Sequence, residues 1–185
     1  MAANDVELMA LIARGDEQAF ASLYDSYADR LYRYALVRCR RSDIAEEAVQ
    51  EALLAAWRGA VGFRGDSSLA TWLFGICHHC LSHLLRKLAP ESALPVGDEA
   101  DGEVQPASDP WPAQDERLTL AEALARLDEG QRTAVFLVYY QGLRLDEAAR
   151  VIGVPEGTVK SRLHTARRNL ASELDSGEGS SDAAV

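Results

Sequence analysis

The 185-residue sequence holds only three cysteines, Cys39, Cys77 and Cys80. They are too few and too unevenly spaced for a disulfide framework, which excludes a small disulfide-stapled secreted domain and fits a reducing compartment. No run of about 18 apolar residues occurs, and the opening MAANDVELMALIARGDEQ lacks the basic start and clean apolar core of a secretory signal. Membrane insertion is therefore not expected, and the chain is expected to be cytoplasmic. No segment alternates apolar and polar residues over a strand's length between turn signals, which argues against a β fold. Nor can a phosphate loop, a nucleophile elbow or paired catalytic carboxylates be placed, so an enzyme is not expected and no cofactor is implied.

Two stretches lack any lysine or arginine. Residues 89–115 carry seven acids and no base, and the residues from Ala171 onward carry four more. Removing these eleven from the 29 acids leaves 18 against all 19 bases, so the formal net charge of −10 belongs to these two stretches. The first of them, within LAPESALPVGDEADGEVQPASDPWPAQDE, also falls in the region holding five of the six prolines and has no helical or strand period. It reads as a flexible acidic linker between two small helical domains.

What is present is helical periodicity. After Asp16, Phe20, Leu23, Tyr24, Tyr27, Leu31, Tyr34 and Ala35 recur at three and four residue steps. A second helix is expected from SDIAEE to Trp57, opened by a capping box of Asp43 and Glu46. After the loop GFRGDSS, a third is expected with Leu69, Trp72, Leu73, Ile76, Cys80 and Leu84 on its apolar stripe. Beyond the linker, LTLAEALARL and EGQRTAVFLVYYQG predict two more helices, the latter ended by Gly142. RLDEAARVIGVPEGTVKSRLHTARRNL then predicts a short helix, a turn at Gly153, and a helix opened by Pro155. The whole is an all-α protein whose second domain contains a helix-turn-helix.

In the last helix, Val159, Leu163, Ala166 and Leu170 form one docking stripe. At about 100° per residue, Gly157, Ser161, His164, Thr165 and Arg168 then point outward, with Lys160 and Arg167 on one flank and Arg162 on the other. Small polar groups at the centre suit base edges, and cations at the sides suit phosphates.

The ordered set GDEQAFASLYDSYADRLYRYA, AEEAVQEALLAAW, FRGDSSLATWL and LDEGQRTAVFLVYYQGLRLDEAARVIGVPEGTVKSRLHTARRNL resembles the extracytoplasmic-function (group IV) sigma factors of bacterial RNA polymerase, within the sigma-70 family. The resemblance implies a promoter-specificity subunit with a region 2 like domain over 1–88, the linker over 89–115, a region 4 like domain over 116–174 and a disordered tail over 175–185. It implies minus-35 duplex reading by Lys160, Ser161, His164 and Thr165, with Arg162, Arg167 and Arg168 beside them. It places Glu46, Glu47, Gln50 and Glu51 against the basic clamp helices of the polymerase β′ subunit, where opposite charge sets register and steers encounter.

The same resemblance assigns opening of the minus-10 element to the loop and the third helix. Arg64, Asp66, Ser67 and Thr71 are the candidate single-strand contacts, followed along the helix by His78, His79, Arg86 and Lys87; Trp72 is assigned to the core. An extruded base needs a pocket and hydrogen-bonding groups of this kind. Where relatives commonly read something like YRIARNRALDHLRR, this chain has FGICHHCLSHLLRK, with Gly75 in place of a usual arginine and His79 near a usual asparagine. Fewer fixed cations there imply a weaker backbone grip or an altered minus-10 preference. An anti-sigma partner is a further implication.

Two other readings compete. A helix-turn-helix regulator independent of polymerase would leave the acidic helix and the FRGDSSLATWL loop unexplained. A zinc or thiol sensor would use CHHCLSH, where Cys77, Cys80 and His83 recur at three-residue steps. Such a site would need a fourth ligand such as Cys39, and free cysteine is a common small core residue; no metal site is assigned.

Overall fold

The computed structural model describes residues 2–88 and 123–178, and every regular element among them is helical. The acidic linker 89–115, the first half of LTLAEALARL and the tail beyond 178 lie outside the described residues. The first unit comprises α1 (Ala2–Ala13), α2 (Glu17–Cys39), α3 (Ser42–Gly59), a 3-10 turn (Ala60–Gly62) and α4 (Leu69–Leu88). The second comprises α5 (Glu129–Val135) with a π-helical extension (Phe136–Tyr140), α6 (Leu145–Ile152) and α7 (Glu156–Glu178).

Local chemistry accounts for several boundaries. Asp16 caps α2, its carboxylate accepting from the N–H groups of Gln18 and Ala19 at 2.9 and 3.0 Å. At the other end Arg40 adopts the left-handed conformation, with φ of 54°, and reverses the chain into α3. The expected capping box at Asp43 and Glu46 is not formed. Helix α3 begins at Ser42 with Arg41 in the cap position, two residues earlier than expected, which puts Asp43 inside the first turn, where it pairs with Arg41 at 2.6 Å. Gly153, at φ of 77°, ends α6 and makes the turn of the helix-turn-helix, its N–H donating to the Ala149 carbonyl at 2.9 Å.

Ala45, Ala48, Ala52 and Ala56 are all buried along α3 and let it lie close to α2 and α4. The buried residues of α4 are Leu69, Thr71, Leu73, Phe74, Cys77, Leu81 and Leu84, so the expected stripe is partly corrected. Trp72, Ile76 and Cys80 sit half-buried at its margin, while Phe74, Cys77 and Leu81 take the centre. The reason is that α4 is enclosed by α2, α3 and α6, leaving less polar contrast around its circumference to fix a register.

The two units share one continuous apolar core. Tyr34 of α2, fully buried, meets Phe74 edge-on at 5.3 Å and Phe136 of the second unit at 6.2 Å between ring centroids.

Candidate nucleic-acid interface

Val159, Leu163 and Ala166 are buried, so the stripe predicted for α7 is the one that docks it. Lys160, Ser161, His164, Arg167 and Arg168 are exposed together, and Thr165 is half-buried beside them. Lys160 pairs along the helix with Glu156 at 3.2 Å, both ends exposed, a contact too solvated to hold the ammonium away from a phosphate. The Arg167 guanidinium lies over the Tyr139 ring at 5.2 Å, which limits its freedom without neutralising it.

Arg162 departs from the expected layout. It is half-buried, and a Cβ added at Gly130 would stand 2.8 Å from its guanidinium carbon. Its side chain therefore lies along the start of α5, lining a crevice between the two units with Arg38, His78, Glu129 and Thr133. The absence of a side chain at Gly130 creates this berth.

In the loop before α4, Arg64 and Asp66 are exposed and Ser67 half-exposed. Ser68 caps α4, its hydroxyl oxygen accepting from the Thr71 N–H at 3.2 Å and lying 2.7 Å from the Thr71 hydroxyl. Thr71 itself is only 5% exposed. Both hydroxyls donate at 3.0 Å to the same oxygen of Glu147, from α6 of the second unit. The other Glu147 oxygen accepts from the Arg144 N–H at 2.9 Å. Burial alone would raise the pKa of this carboxyl, but the Arg144 N–H and the Ser68 and Thr71 hydroxyls favour the anion and bring it below the ordinary carboxylate value.

Along α4, His79, Arg86 and Lys87 are exposed, with His83 between them on the same side. His78 is not on that side. Its ring Nδ1 lies 2.7 Å from the Tyr34 hydroxyl, and Arg38 donates to its carbonyl at 3.2 Å. Burial, with lesser contributions from Arg38 and His79, lowers its pKa to about 4. It is a neutral interior histidine, placed there because it falls one helical step from the exposed stripe.

Cys77 is fully buried, Cys80 half-buried and His83 exposed, so the three do not converge. Three-residue steps drift by about 60° each around a helix. No group of His, Cys, Asp or Glu among the described residues is placed to hold a metal ion. Burial pushes all three thiols up, away from the reactive thiolate.

On α3, Glu46, Glu47 and Gln50 are exposed and Glu51 half-exposed, and the row continues into Leu54, itself 48% exposed. Sequence reasoning did not single out Leu54. Its signal was available as an apolar residue at position i+7 from Glu47, on the polar side of an amphipathic helix.

The Sigma-70 region 2 family matches residues 23–90, and the family described as Sigma-70, region 4 matches residues 117–170. The ECF RNA polymerase sigma factor SigM of Mycobacterium tuberculosis is 39% identical over 168 residues, 91% of this chain and 83% of SigM. The chain belongs to the ECF sigma factors. SigL of the same species is 34% identical over 85% of this sigma factor and 90% of SigL. Among solved structures, CnrH in complex with the cytosolic domain of CnrY superposes with a TM-score of 0.65 at 25% identity, covering 93% of this chain and 97% of CnrH. The sigma factor RpoE of Bartonella quintana, in complex with the anti-sigma factor NepR, gives 0.62 at 25% identity, covering 84% and 96%. The family is one of transcription initiation factors, not enzymes. No described helix of this sigma factor is long and apolar enough to cross a membrane.

Proposed function

We propose that this sigma factor binds bacterial core RNA polymerase through Glu46, Glu47, Gln50, Glu51 and Leu54 of α3, works in the cytoplasm, and directs initiation at a two-element promoter. The region 2 like domain is taken as 1–88 and the region 4 like domain as 116–174. Helix α7 reads minus-35 duplex DNA, with Ser161, His164 and Thr165 toward base edges and Lys160, Arg167 and Arg168 toward phosphates. Arg64, Asp66, Ser67 and Thr71 hold the extruded minus-10 bases, and His79, Arg86 and Lys87 follow the strand along α4.

The observation that carries this reading is the joint exposure of Lys160, Ser161, His164, Arg167 and Arg168 on a helix docked by Val159, Leu163 and Ala166 after a Gly153 turn. A cation-flanked polar strip on the second helix of a helix-turn-helix fits the major groove. CnrH and RpoE were both solved with regulatory partners, and an anti-sigma protein is proposed for this chain by analogy.

The test is transcription of fragmented genomic DNA by core polymerase with and without the protein. Start sites that require it are expected to share two upstream elements at fixed spacing. Transcription unchanged by its addition contradicts the reading.

A further inference from the structure

One of the contacts between the two units falls at the end of the loop assigned to single-stranded DNA and the start of α4. Glu147 takes both the Ser68 hydroxyl, beside Ser67, and the hydroxyl of Thr71, one of the residues assigned to the extruded bases. Around this carboxylate the second unit is held along one basic edge of α2. Arg30 donates to Gln141 at 2.8 Å, Arg33 to the Tyr140 hydroxyl at 2.8 Å, Arg38 to Glu129 at 2.6 Å and Arg40 to the Ala125 carbonyl at 3.2 Å. In the reverse direction Arg132 reaches the Val37 carbonyl at 3.2 Å. These are mainly long side chains meeting polar groups around the apolar contact of Tyr34, itself against Phe74, with Phe136, and contacts between domains of one chain with such a polar share commonly permit relative motion.

We propose that in the free chain the helix-turn-helix unit is itself the occupant of the strand-opening surface. Glu147 of α6 stands on Ser68 and Thr71 where an extruded base would stand, so docking of this unit and binding of single-stranded DNA exclude one another. The inference rests on the loop's role in the proposed function and adds its regulation. A carboxylate oxygen accepting from two hydroxyls takes up the hydrogen bonds that a base carbonyl would use, and α6 behind it packs against α4. The exchange is thermodynamically reciprocal: whatever separates the units exposes the loop, and a strand bound at the loop favours separation.

The full-length chain supports a direct test with two variants on different helices. Glu147→Gln removes the charge but leaves an amide oxygen to accept from the Arg144 N–H. Glu129→Arg sets two cations against each other at Arg38. Binding of a short fluorescein-labelled single strand of mixed sequence is read by anisotropy, and separation of the units by amide exchange over residues 63–73 and 145–152. Both variants are expected to exchange faster in these segments and to bind the strand about three- to tenfold tighter than the parent. Saturating strand should also speed exchange over 145–152 in the parent. Exchange unchanged in both variants overturns the docking. Faster exchange with the parent's affinity overturns the exclusion alone, leaving the loop's role intact. Failure of every version to bind the strand, opened variants included, overturns the loop's role and the exclusion with it.

Discussion

The Arg38 guanidinium donates to Glu129 at 2.6 Å, to Ser82 at 2.8 Å and to the His78 carbonyl at 3.2 Å, so one side chain ties α2 to α4 and α5. Its side chain is 13% exposed, and truncation leaves the partners without their donor. Arg38→Ala should lower stability by about 2 kcal/mol, read as an earlier urea midpoint. His78 beside it supplies a pH dependence. It faces Tyr34, Arg38, Glu129 and Arg162 across the crevice and His79 along its helix. Its pKa falls from an unfolded value of 6.5 to about 4, so the unfolded chain takes up the proton first and stability is lost as pH falls between these values. In His78→Gln that part of the acid limb of a stability–pH curve should flatten; an unaltered limb would show that another group carries it. Gly130→Ala offers a contrasting case. The added Cβ meets only the flexible end of Arg162, so the arginine should swing out and stability should change by less than about 1 kcal/mol, the helix propensity of alanine offsetting the displacement.

At the scale of elements, α7 was the most legible part of the chain. It packs along one side only, so Val159, Leu163 and Ala166 are apolar against a polar remainder and the periodicity gives the docking face directly. Helix α4 was less legible because several helices surround it, and an interior histidine, His78, reads in sequence like its exposed neighbour His79. Asp43 shows another limit, since moving a helix start by two residues turns a prospective cap into a first-turn acid. The contacts of Glu147 with Ser68 and Thr71, 79 and 76 residues away, leave no local pattern from which they could be read. For α7 the expected behaviour is electrostatic. Lys160→Ala with Arg167→Ala should reduce the slope of log affinity for duplex DNA against log salt by about 1.8, two phosphates at about 0.9 each. A slope equal to the parent's would remove this helix from the phosphate backbone.

At the scale of the whole molecule, the net charge of −10 hides a division. The acids of residues 89–115 and of those from Ala171 onward leave a remainder near neutrality, within which α3 presents carboxylates and α7 presents cations to different partners. The two surfaces can therefore be disabled separately. Glu47 and Glu51 belong to none of the ion pairs or hydrogen bonds that join the two units, so reversing their charge should leave the fold and duplex binding intact. The measurement that tests the account most directly is co-elution of the purified chain with bacterial core RNA polymerase, set beside the Glu47→Lys, Glu51→Lys variant. The account predicts that the parent co-elutes, that the variant does not, and that both still bind duplex DNA. Duplex binding without co-elution by either protein would contradict it, as would equal co-elution by both.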